Sequence, residues 1–217
     1  MKHIIDLMDM DISEQQPAGW TATARWLHWT VAIAILVLVP AGYIMANSYG
    51  NPDPEVYQTH ILASQIHQTL GLLLIALVAV RFLWRLKHPA PALPAGVPQW
   101  QARMSRIVQW ALYICLIAIP LLGWAALSSL ADIPAFGPTQ IWFFGHDGFG
   151  TGGMIPRLLP AVSYEGPDLL RYSSIASAHR WLAYGAGGIL TLHILAALRH
   201  HFVLNDNVLR RMLGKQS

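Results

Sequence analysis

Charge is scarce in this chain. Only 12% of its 217 residues are Asp, Glu, Lys or Arg, whereas 54% are hydrophobic and the mean hydropathy is +0.41. Soluble globular domains carry about 25% charged residues, so this composition excludes an ordinary soluble domain and indicates an integral membrane protein. The net charge of +3 comes from basic residues beside apolar segments. A basic tract with interleaved aromatic residues is missing, so no nucleic-acid partner is expected.

Cysteine is almost absent, and so is a cleavable leader. The single cysteine, Cys115, lies within an apolar run, which excludes an internal disulfide. The first twenty residues carry Asp6, Asp9, Asp11 and Glu14 and lack the basic-then-apolar order of a signal peptide. The first apolar segment is therefore expected to direct membrane insertion itself.

Four apolar segments are long enough to cross a bilayer, whose hydrocarbon core of about 30 Å requires roughly 20 helical residues. None alternates like a strand, and backbone polar groups in lipid must be satisfied within the segment, so helices are predicted rather than a barrel. The predicted fold class is therefore an all-α membrane protein, a bundle of four transmembrane helices. The expected spans are about 26–46, 64–86, 107–130 and 178–203.

The distribution of Lys and Arg predicts the orientation. The first loop carries Asp53 and Glu55 but no basic residue, whereas the second loop carries several. Cytoplasmic loops have an excess of Lys and Arg, so the second loop and both termini should face the cytoplasm. The resulting division is a cytoplasmic N-terminal extension (1–24), a four-helix membrane domain (25–213) with a long periplasmic loop (131–177), and a C-terminal tail (214–217).

Four histidines lie inside or at the rims of the apolar segments: His28, His67, His179 and His193. A neutral imidazole is costly to desolvate without a partner, so the four together require a common explanation. His179 and His193 are 14 residues apart, which in a helix is about 21 Å along the axis and about 40° around it. The predicted topology places His28 and His193 at one depth in the membrane, and His67 and His179 at another.

Two depth-matched pairs suit the axial ligands of two haems. No C-x-x-C-H sequence is present, so such haems would be held non-covalently. Zinc or copper would favour ligands that converge at one depth, often with Cys or a carboxylate. A hydrogen bond to a carbonyl of a neighbouring helix is the alternative for any single histidine. Iron with two imidazole ligands has no open position, so the expected chemistry is electron transfer.

Other residues are candidates for contacts with the cofactors or with quinone. Gly71, one turn beyond the second histidine, would let a flat macrocycle approach the backbone, with ordinary helix packing as the alternative. Arg25 and Arg180 could bind anionic haem propionates. His200 and Arg199 form a polar cluster where a quinone carbonyl could accept a hydrogen bond and protons could be relayed. A solvated helix end is the alternative for that cluster.

Six motifs carry a resemblance to a known family. They are R-W-L-H-W at 25–29, I-H-Q-T-L-G at 66–71, R-F-L-W-R-L-K-H-P at 81–89, A-H-R-W-L-A-Y at 178–184, L-H-I-L-A-A-L-R-H-H-F at 192–202 and D-N-V-L-R-R-M at 206–212. With them the chain resembles the bacterial cytochrome b561 family, four-helix di-haem cytochromes of the inner membrane. The resemblance implies two haem b groups on His28, His67, His179 and His193, and ubiquinone reduced near His200. Some members resemble a superoxide oxidase, which implies superoxide as the periplasmic donor.

Three functions remain open at this point, one of which is a purely structural or haem-storing membrane protein. The first is an electron-transfer oxidoreductase that passes electrons from a periplasmic one-electron donor, with superoxide as the candidate, to membrane quinone. The second is a haem-carrying membrane-anchor subunit that links a partner dehydrogenase or hydrogenase to the quinone pool. In the second case the long aromatic third loop would be a docking surface. The other interpretation of that loop is a cap at the bilayer interface, where aromatic rings are favoured.

Overall fold

The computed structural model describes residues 19–91, 97–130, 155–161 and 167–214. Within these ranges the chain is helical and contains no strand. Four of the helices are long and apolar enough to cross a membrane, which confirms the predicted all-α, four-helix class. The helices are α1 (Ala22–Ser48), α2 (Pro54–Lys87), α3 (Gln99–Leu130), α4 (Tyr172–Phe202) and the short α5 (Val208–Met212), with a 3-10 turn at Asp168–Leu170.

The four long helices begin before the expected spans, and the first turns of α1 and α2 are capped by polar side chains. Thr21 Oγ1 accepts a hydrogen bond from the Ala24 amide at 3.2 Å, which starts α1. Asp53 Oδ1 accepts from the Glu55 amide at 2.8 Å, and Pro54 opens the first turn of α2. Both arrangements are favoured at helix N-termini. The hydrophobic length alone counts only the residues needed to cross the hydrocarbon, so it underestimates each helix.

The long helices pack in sequence, α1 on α2, α2 on α3 and α3 on α4. A buried core of Val31 and Leu38 from α1 and Leu74 and Val78 from α2 fixes the first pair. Trp124 Nε1 of α3 donates to the Pro156 carbonyl at 2.9 Å, which holds the described part of the third loop against the bundle.

The outer faces of the helices are apolar and exposed. On α4, Trp181 is 68% exposed and Leu192 is 63% exposed. A continuous apolar surface of this extent is unstable in water, whereas in a bilayer it contacts acyl chains. The bundle therefore has the surface of a multi-pass membrane protein.

The chain reverses after α4 and brings α5 back across one end of the bundle. Asn205 adopts a left-handed conformation, with φ at 51°, at this reversal. Trp29 Nε1 of α1 then donates to the Met212 carbonyl of α5 at 3.2 Å. As a result, α5 closes the end of the bundle at which α1 begins. The expected N-terminal extension up to residue 18 and most of the long third loop lie outside the described residues.

Candidate functional site

A single large space between the helices contains all four histidines that the sequence singled out. The cavity has a volume of about 2020 Å³, and its wall is formed by the four long helices and α5. Sites for one small ligand are typically about 300–1,000 Å³. The space within the bundle is therefore large enough for more than one cofactor.

The four imidazoles face each other as two pairs across this cavity. The ring centroids of His67 and His179 are 6.0 Å apart, with an interplanar angle of 81°. Those of His28 and His193 are 6.4 Å apart, at 68°. A metal–imidazole bond is about 2.0 Å long, so two rings on opposite sides of one metal have centroids about 6 Å apart. Both pairs have the spacing that a metal held between two imidazoles requires.

The donor set suits a metal that receives further ligands from a macrocycle. Across the described residues, no three His, Cys, Asp or Glu side chains are grouped to hold a metal ion. A zinc site built from protein ligands needs three or four such donors. A haem iron takes only its two axial ligands from the protein, which is what each histidine pair offers.

His67 is held by α1 through a carbonyl and a glycine. Its Nδ1 donates a hydrogen bond to the Leu38 carbonyl at 2.9 Å. The ring lies on Gly42, where an added Cβ would be only 2.7 Å from His67 Cε1. Because a carbonyl can only accept, Nδ1 carries the proton and Nε2 keeps its lone pair for a metal.

His179 is held by α3 in the same way. Its Nδ1 donates to the Ile119 carbonyl at 2.7 Å, and an added Cβ on Gly123 would be 3.2 Å from His179 Cε1. In both α1 and α3 the glycine lies four residues after the acceptor carbonyl, and a proline lies between the two, Pro40 in α1 and Pro120 in α3. We refer to each of these carbonyl–glycine elements as a histidine socket.

The second pair has a different environment. Arg81 Nη2 of α2 donates to His28 Nδ1 at 3.0 Å, and the guanidinium lies over the ring of Tyr113, 5.3 Å from its centroid. In the sequence, Arg81 is the first residue of the 81–89 motif. Its position inside the expected second span could have identified Arg81 as a candidate site residue, because charged residues within a membrane span mark functional sites.

The cavity wall is positively charged. Its described residues include no Asp or Glu, so an anionic occupant is favoured. Arg180 lies in this wall, as does Gly71, beside which an added Cβ would meet nothing within 4 Å. Arg25 does not, because its Nη1 donates to the Trp20 carbonyl at 2.7 Å. The arginines of the wall are Arg81, Arg85, Arg106, Arg180 and Arg211.

His200 and Arg199 do not line this cavity, and their role as a quinone-binding cluster stays a prediction. Arg199 is exposed. His200 Nδ1 forms a short hydrogen bond with Asp206, whose other carboxylate oxygen accepts from the Val208 amide at 3.0 Å. The reversal of the chain after α4 turns His200 toward Asp206, and residues of α5 line the cavity instead.

These bonds make Asp206 the residue that fastens α5. We expect Asp206→Ala to loosen α5, because each lost hydrogen bond is worth about 0.5–1.5 kcal/mol and more where a charge takes part. Limited digestion with trypsin should then cleave the purified protein after Arg210 and Arg211 several-fold faster than the unchanged protein. The control is Asp168→Ala, which removes an exposed ion pair with Arg171 of little energetic value. Equal cleavage rates in the two variants would show that Asp206 does not hold α5.

The sequence model for prokaryotic cytochrome b561 matches residues 19–215 of the chain. The chain belongs to this family. It is 32% identical over 207 residues to cytochrome b561 homolog 2 of Escherichia coli K12, covering 93% of this chain and 94% of that protein. It is 27% identical over 190 residues to a protein of Yersinia pestis named probable superoxide oxidase CybB, covering 88% and 93% of the two.

A second Escherichia coli protein, cytochrome b561 homolog 1, is 23% identical over 197 residues, which cover 91% of this chain and 98% of that protein. Membership of the cytochrome b561 family makes the chain a multi-pass bacterial membrane cytochrome that binds b-type haem and transfers electrons. This confirms the resemblance drawn from the sequence motifs.

Proposed function

We propose that the chain binds two haem b groups, one between His67 and His179 and one between His28 and His193. The observation that carries this proposal is the centroid separation of 6.0 Å in the first pair and 6.4 Å in the second, within one cavity. A haem with two imidazole ligands supplies a one-electron carrier with no open position for substrate. Substrates therefore react at the two ends of the bundle.

The proposed orientation places the His67/His179 end at the periplasm and both termini in the cytoplasm of the bacterial inner membrane. Basic side chains support it, because they are concentrated at the end where α1 begins and α4 finishes, and basic residues favour the cytoplasmic side. At that end the described residues include Arg25, Arg85, Lys87, Arg103, Arg106, Arg199, Arg210 and Arg211. At the opposite end they include Arg157, Arg171 and Arg180.

The proposed reaction is the oxidation of a one-electron donor at the periplasmic end and the reduction of ubiquinone toward the cytoplasmic end. Superoxide is the proposed donor, because a relative is named a probable superoxide oxidase. Two superoxide ions each give up one electron and leave as dioxygen, while one quinone takes up two electrons and two protons. Arg180 is exposed at that end and lies in the cavity wall, where a cation attracts a small anion.

The protein purified in detergent tests this function directly. With an enzymatic source of superoxide and a soluble ubiquinone analogue, we expect quinol to form at a ratio of one per two superoxide ions consumed. Formation should cease when the source is omitted and when superoxide dismutase is added in excess. Consumption of superoxide that is no faster with quinone present would contradict the proposal. An inactive chain that co-purifies with a stoichiometric metal or iron–sulfur subunit would support the membrane-anchor alternative instead.

A further inference from the structure

The two histidine pairs differ in the groups that contact their Nδ1 atoms. In the first pair both rings donate to main-chain carbonyls, His67 to Leu38 and His179 to Ile119. In the second pair His28 instead accepts from a guanidinium, because Arg81 carries only donors. A ring that donates to a carbonyl gains basicity as a metal ligand. For Nε2 of His28 to bind a metal, the ring proton must move to Nδ1, which then no longer accepts from Arg81, so the effect of Arg81 at this end is that of its charge.

Arg81 brings its charge to a position where solvent screens it weakly. The residue is half-buried within α2, in a segment that crosses the membrane. Its guanidinium lies over the Tyr113 ring, 5.3 Å from the ring centroid. In the part of the cavity wall that the structure describes there is no Asp or Glu to neutralise it. The electrostatic effect of a charge grows as the effective dielectric constant falls.

Both differences raise the reduction potential of the His28/His193 site relative to that of the His67/His179 site. A positive charge favours the reduced state of a nearby redox centre, because that state carries one positive charge less. Hydrogen bonds to the axial ligands are also among the determinants of haem potential. The carbonyl bonds of His67 and His179 strengthen electron donation at their own end, which favours the oxidised state there.

We propose that the charge of Arg81 gives the His28/His193 site the higher reduction potential of the two. The inference rests on the proposed binding of two haems. The guanidinium lies 3.0 Å from the Nδ1 atom of a candidate ligand and acts on the site through its charge. Its charge makes the His28/His193 end the preferred location of an electron, so that transfer from the His67/His179 end is energetically downhill.

Spectroelectrochemical titration of the haem-loaded protein tests the proposal independently of turnover. The unchanged protein should titrate in two one-electron steps. In Arg81→Gln the reduction potential of the upper step should fall by at least about 59 mV. For a one-electron couple this corresponds to a tenfold change in the equilibrium constant for sharing an electron between the two sites. The lower step should remain in place. Arg81→Lys retains the charge, so it should restore most of the upper potential.

Arg103→Gln is the matched control, because Arg103 is an exposed arginine of α3 near the same end and its charge is screened by water. Neither step should move in this variant. The proposal is overturned if Arg81→Gln raises the upper step, leaves it unchanged, or moves the lower step instead. If Arg81→Gln loses a haem, the Arg81→Lys variant provides the test. This variant keeps the charge, so a lower reduction potential in its upper step would show that the charge is not the cause.

The haem-to-protein ratio, measured first, separates failure of this inference from failure of the two-haem function. A ratio of one contradicts the function. One titration step then remains, and its reduction potential should be lower in Arg81→Gln if Arg81 influences it. An unchanged potential would contradict the role of Arg81.

Discussion

Replacement of His67 by alanine is expected to remove one of two low-spin b-haem signals from the optical spectrum of the purified protein. An iron between two imidazoles is low-spin and six-coordinate, and alanine leaves one axial position without a ligand. His193→Ala should remove the other signal, because His193 faces His28 at the opposite end of the cavity. The measurement is the reduced-minus-oxidised spectrum, together with the haem content per chain.

The pairing itself is tested by two further variants. His179→Ala should affect the same signal as His67→Ala, and His28→Ala the same signal as His193→Ala. His201→Ala is the control, because His201 is also a half-buried histidine of α4 but does not line the cavity. Its spectrum should equal that of the unchanged protein. Loss of the same signal in His67→Ala and His193→Ala would disprove the assignment of two sites.

Substitution of Gly42 is expected to have the second largest effect, although this residue touches no cofactor through a side chain. An alanine Cβ at this position would be 2.7 Å from His67 Cε1 and 2.8 Å from His67 Nδ1. The ring must move, and its hydrogen bond to the Leu38 carbonyl must lengthen. Loss of such a second-shell partner typically costs about 10–100-fold in metal affinity. We therefore expect Gly42→Ala to lower haem affinity at the His67/His179 site by a factor in this range.

Two other glycines make this a graded series. Gly123→Ala should have a smaller effect at the same site, because its Cβ would be 3.2 Å from His179 Cε1. Gly188→Ala should have no effect, since Gly188 is exposed and nothing lies within 4 Å of an added Cβ. Haem titration of the apoprotein of each variant measures the order. A Gly188→Ala affinity as low as that of Gly42→Ala would show that the sockets do not orient the histidines.

The sequence was sufficient to predict the helices and the histidines to examine. Hydrophobic length identified the four spans, and the separation of His179 and His193 placed them at two depths of one helix. The scarcity of basic residues in the first loop predicts that this loop faces the periplasm, which stays a prediction. These predictions use only local patterns and bilayer dimensions, which is why they could be made without coordinates.

The contacts between helices could not be predicted in this way. Gly42 and Gly123 have no unusual local context, and their closeness to His67 and His179 depends on how the helices are rotated against each other. The direction of Arg81 depends on the same rotation. The return of α5 pairs His200 with Asp206, and Arg25 binds the Trp20 carbonyl; the quinone and cofactor roles of these two residues stay predictions. No sequence period encodes that reversal.

The histidine sockets also have a consequence for how the sequence can diverge. The acceptors for His67 and His179 are main-chain carbonyls of Leu38 and Ile119, and substitution of a side chain does not remove a carbonyl. We therefore expect substitutions at positions 38 and 119 to leave these two hydrogen bonds in place, whereas a side chain larger than glycine at positions 42 and 123 would crowd the two rings. The orientation of these two histidines therefore depends on main-chain atoms, which are the part of a helix that mutation changes least.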